Sequence, residues 1–148
     1  MLGADHTWSP ERVAELLGDD YGDNPSKHFL ARDHGLVEFF WQRSGPGQPW
    51  AGTHFSVQAH RLRTPGPEVV GPVLSERYGV FPASVAFADV AALLDARGVP
   101  LAEVPYPADP DEMRTYWQPG SGTGVYVVAG SYYGTAGDVY KVISPDRP

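Results

Sequence analysis

With 148 residues and 42% apolar side chains, the chain is long enough for one globular domain with its own core. It has no cysteine, which excludes a disulfide framework and any thiolate metal site, and it has no apolar run of the length that crosses a membrane as a helix. Its net charge of −7 disfavours nucleic acid and favours basic partners.

The charge is uneven. The first 25 residues carry six acids and one base, whereas residues 26–66 carry five bases and two acids. Met1 to His6 contain neither a basic stretch nor an apolar core of the signal-peptide kind. The expected compartment is therefore the cytoplasm.

The first element is a helix. Ser9 is a good N-cap, Pro10 suits the first helical position, and Gly18 closes the segment. Val13, Leu16 and Leu17 form its apolar stripe, and Trp8 is placed to staple onto Val13. An acidic loop follows, from Asp19 to Pro25. It holds Asp19, Asp20 and Asp23, but its spacing does not match a calcium loop, so it reads as a solvated turn.

Lys27 to Leu62 reads as strand, turn, strand, loop, strand. Asp33-His34-Gly35 is a hairpin connection, with Gly35 supplying a positive φ. Leu36 to Arg43 is apolar on both faces, which places it in the middle of a sheet. Thr53 to Leu62 alternates, with Phe55, Val57 and Ala59 on one face.

Arg63 to Pro67 is a turn, and Glu68 to Phe81 has no clear element because Gly71-Pro72 interrupts its valines. A second helix is predicted from Phe87 to Arg97, stopped by Gly98 and Pro100. Val99 to Val104 suits a short strand, and Pro105 to Pro110 an extended loop. Met113–Gln118, Val125–Val128 and Val139–Ile143 are strands. Between the last two lies Ala129 to Asp138, a loop of small residues carrying Tyr132 and Tyr133. Such a loop is either a binding surface or a loose hairpin. The whole predicts an α+β single domain, an antiparallel sheet of about five to six strands with two helices packed on it.

Motifs for chemistry are sparse. His6, His28, His34, His54 and His60 are scattered. His54 and His60 lie about 20 Å apart on an extended strand, too far to share a metal. Gly120 to Gly124 lacks the lysine and the following helix of a phosphate loop. Glu38, on an apolar strand, is a candidate acid–base residue or one half of an ion pair with Arg61 or Arg32. Trp50, in a Gly/Pro loop, is an exposed anchor or a lid on the sheet end.

Gly35 to Trp41 followed by Phe55 to Leu62, in a short acidic cysteine-free chain, resembles the immunity proteins of bacterial polymorphic-toxin systems of actinobacterial type. The likeness covers residues 9–62. It implies a non-catalytic protein that neutralises a cognate toxin by covering its active site, with no cofactor, no metal and no catalytic residue. A basic toxin domain is then the expected partner, as monomer or dimer, with neither nucleic acid nor membrane involved. The expected contacts are Asp19, Asp20, Asp23, Trp50, Asp109, Asp111, Glu112, Tyr132 and Tyr133. The alternative is a small-molecule protein or enzyme with a site between sheet and helices, built on Glu38 and a histidine.

Overall fold

The computed structural model describes residues 2–64, 67–105 and 110–146. Among them, eight strands form one antiparallel sheet. In chain order the elements are α1 (Pro10–Leu17), β1 (Gly22–Pro25), β2 (Phe29–Asp33), β3 (Val37–Gln42), β4 (Ala51–Val57) and a 3-10 turn, η1 (Ala59–Arg63). There follow α2 (Pro67–Val70), α3 (Pro72–Tyr78), α4 (Phe87–Asp95), β5 (Ala102–Val104), β6 (Met113–Gln118), β7 (Thr123–Val128) and β8 (Val139–Ser144). The strand order is β1-β2-β3-β4-β8-β7-β6-β5.

The α+β class holds, but the expected five to six strands and two helices do not. The acidic loop contains β1, an edge strand whose Asp23 pairs with Arg32 of β2. Gly, Asp, Asn and Pro are poor strand formers, yet a carboxylate–guanidinium pair at 2.7 Å holds the edge. Pro25 is tolerated there because an edge strand has one row of backbone groups with no ladder partner. Glu68 to Phe81, left without an element, forms α2 and α3, with Gly71 between them at φ 75°. The third predicted strand stops at Val57, and the chain then coils into η1. There the Gln58 backbone N–H donates to Leu36 O and its side-chain amide to Glu38, so the ladder cannot continue straight.

The first helix forms where its caps place it. The Ser9 hydroxyl accepts from Arg12 N, and the Gly18 N–H donates to Ala14 O. Trp8 packs against the cluster that contains Val13.

Register puts α1 and α4 on the same sheet face. Residues paired across a ladder share a face, and the pairs run Leu30↔Trp41, Phe39↔Phe55, Val57↔Val142 and Val142↔Val125. Val13 of α1 is fully buried against Val37, Phe39 and Trp41. Phe87 of α4 stacks on Tyr116 with 4.1 Å between ring centroids, and Val90 joins the cluster of Val125, Val127 and Val139. The Trp41 indole donates to Trp8 O at 2.7 Å, which ties the N-terminal segment to β3. The opposite face carries Glu38, Phe40, His54, Ser56, Tyr126, Lys141 and Ile143.

Candidate functional site

The loop between β7 and β8 is the best-built candidate. Its first residues are held by β6's leading end: Ala129 N and Gly130 N both donate to Glu112 O. The Glu112 carboxylate then accepts from Tyr132 N at 2.9 Å. A Cβ on Gly130 would meet that carboxylate, so any side chain there has to push the Glu112 carboxylate aside. On the other flank Arg63 of η1 donates to Tyr133 O at 3.1 Å and pairs with Asp138 at 2.9 Å. Gly134, at φ 144°, lies where any Cβ would strike the Arg63 guanidinium.

Two anchors therefore fix the backbone while the rings project. Tyr132 is 81% exposed and Tyr133 39% exposed. The rings meet edge-on at 4.9 Å, and Tyr133 continues edge-on to Tyr140 at 5.5 Å. Tyr140 stacks on His60 at 4.2 Å, and its carbonyl accepts from His60 Nδ1–H. Burial pushes the His60 pKa down, only partly opposed by that bond, so at neutral pH the ring is an uncharged link in the row.

Of the residues expected to bind a partner, Glu112, Tyr132 and Tyr133 come together here, with Asp111 next to Glu112 in the chain. Asp111 is exposed, while Glu112 is half-buried under the loop it holds. Asp19, Asp20 and Asp23 belong elsewhere. β1 lies five strand positions from β7, about 24 Å along the sheet. Asp19 and Asp20 line a cavity of about 240 Å³ with His34 and Leu74. Asp23 is paired to Arg32, which also donates to Pro10 O and stacks on Tyr21 at 3.8 Å. Trp50 is half-buried against the α1-side cluster, with the Arg43 guanidinium 4.0 Å over its ring, so it closes the sheet end. Asp109 lies outside the described residues.

Glu38 is not between sheet and helices. It points to the face away from α1 and α4, where Arg61 meets it at 2.6 Å and the Gln58 amide donates to it at 2.6 Å. Arg61 also pairs with Asp33 and donates to Gly35 O. Burial works against the Arg61 charge, but Asp33 and Glu38 together raise its pKa. The ion-pair reading of Glu38 is the one the contacts bear out.

The sequence carried no sign of Arg63 or Asp138 as parts of this site. They are 75 residues apart and meet only because η1 reaches the start of β8. No protein-family model, curated protein or solved structure matches the chain.

Proposed function

We propose that the chain is a non-catalytic binding protein of the immunity type, which acts in the cytoplasm and neutralises a cognate toxin by covering its active site. The observation that carries the reading is Tyr132: a large amphipathic ring, 81% exposed, on a backbone hydrogen-bonded to Glu112. A ring presented from a fixed loop loses little conformational entropy on docking, as aromatic anchors of protein interfaces do. Asp111 and Glu112 beside it, on a chain of net charge −7, suit a basic partner and speed its approach through long-range attraction.

The test is calorimetry or biolayer interferometry against the product of the adjacent gene. Binding at about 1 μM or tighter is expected. Tyr132→Ala is expected to weaken it at least about tenfold, in the range of an interface hot spot. Asp111→Asn is expected to slow association and flatten its salt dependence. Absent binding, or binding indifferent to Tyr132, would remove the reading.

A further inference from the structure

The sheet face away from α1 and α4 holds a second feature, built around a β-bulge. In the β3–β4 ladder Phe40 faces His54 and Trp41 faces Gly52, so Thr53 is the extra residue. Bulges of this kind re-aim the side chains beside them. The Thr53 hydroxyl donates to Phe40 O at 3.1 Å, which uses its single proton. The 3.1 Å contact between Thr53 Oγ1 and His54 Nδ1 must then have Nδ1–H as its donor. Nε2 is consequently the nitrogen that carries the lone pair.

The ring is fixed in plane as well as in tautomer, because it stacks on Phe40 at 4.2 Å and 10°. Burial lowers the His54 pKa, which keeps the ring neutral near pH 7. Among the described residues Nε2 has no hydrogen-bond partner, and it is not among the unpartnered atoms sealed from solvent. His54 borders a cleft of about 570 Å³, shared with His6, Gln42, Ile143, Pro145 and Asp146. His6 and Gly52 complete the lining, and the Gly52 position, on the Trp41 side of β4, has the His6 carbonyl where a Cβ would stand. The Asp146 carboxylate is oriented by the Tyr126 hydroxyl, which donates to it at 2.8 Å.

We propose that this cleft binds a guanidinium group, whose N–H donors meet His54 Nε2, the Gln42 amide oxygen and the Asp146 carboxylate. Three acceptors from separate segments suit a planar fork of five donors better than the compact ammonium head. The volume lies in the range of small-ligand sites, so the body of the ligand enters too. The inference is independent of the docking loop, which lies at the opposite end of β8.

Protonation reverses the role of Nε2 from acceptor to donor. The titratable groups around His54 are His6 from the N-terminal segment, Glu38 of β3, Lys141 of β8, and Asp146. Guanidinium binding is therefore present above the His54 pKa and lost as pH falls through it.

The experiment is titration of the whole chain with ethylguanidinium, ethylammonium and inorganic phosphate, followed by calorimetry and by the ¹⁵N shift of His54 Nε2. N-acetyl-arginine amide and free arginine serve as further arms, separating a peptide side chain from a small molecule as the source. Saturable ethylguanidinium binding below about 10 mM is expected, with movement of the Nε2 resonance. Binding is expected to fall at least about tenfold in His54→Phe, which keeps the stack on Phe40 and removes the acceptor. The native-protein resonance decides the matter if that variant does not fold. No saturable binding, equal binding of ethylammonium, preference for phosphate, or an unmoved Nε2 resonance would each overturn the proposal.

Discussion

Arg61 and Glu38 meet at 2.6 Å on the sheet face away from α1 and α4, and the same guanidinium reaches Asp33 at 2.7 Å. These contacts join η1 to β3 and to the β2 end of the hairpin, so one arginine from beyond β4 locks the turn between β2 and β3. Arg61→Ala leaves the Glu38 carboxylate half-buried with only Gln58 and Ser56 as donors. It is expected to cost about 1–3 kcal/mol in urea unfolding. Adding Glu38→Gln to Arg61→Ala is expected to recover part of that loss, and a double-mutant cycle reads the coupling.

Trp41 offers a sharper test of the core. It is fully buried, stacks on Phe39 at 5.8 Å and donates to Trp8 O. Trp41→Ala is expected to destabilise by about 3–5 kcal/mol, because it leaves both a cavity and an unpaired carbonyl. Trp41→Phe keeps most of the volume and loses the hydrogen bond, so a smaller loss in thermal unfolding is expected.

Acid sensitivity follows from three histidines. Burial lowers the pKa of His34, His54 and His60 below the ordinary value of 6.5. In the folded chain each binds its proton at lower pH than in the unfolded chain, so unfolding takes up protons below about pH 6.5. Their stabilising contribution is full above the unfolded value and is lost as pH falls toward the folded values. His34 is the best single probe, since both its ring nitrogens are buried and without a hydrogen-bond partner among the described residues. His34→Phe is expected to flatten the decline in melting temperature on acidification, and an unchanged slope would count against this account.

The tyrosine loop supplies the last prediction. Gly130→Ala forces a methyl group into the Glu112 carboxylate that holds Tyr132 N. Amide exchange across residues 129–138 is expected to quicken, with little change in the β2–β3 hairpin. Glu112→Gln is expected to show a milder version, because an amide oxygen still accepts from Tyr132 N.

Much of the fold could be read along the chain. Ser9, Pro10 and Gly18 bounded α1 because caps act within a single turn of helix. Val37, Phe39 and Trp41 marked the buried face of β3 because pleating repeats every two residues, although β3 is third from an edge and β4 and β8 hold the middle of the sheet. The turn at Gly35 and the strands over β6, β7 and β8 were legible for the same local reasons.

Only the folded chain decided the rest. β1 exists because Arg32 binds Asp23 across the edge, against the preference of Gly, Asp, Asn and Pro. β4 pairs with β8 across more than 80 residues, joining two halves that periodicity treats as separate. The same pairing gathers Arg63, Asp138 and the tyrosines at one end of β8, and His54 and Asp146 at the other. Caps, turns and alternation are governed by groups a few residues apart. Which distant segments share a ladder depends on how the buried faces fit together, and no short window of sequence contains that.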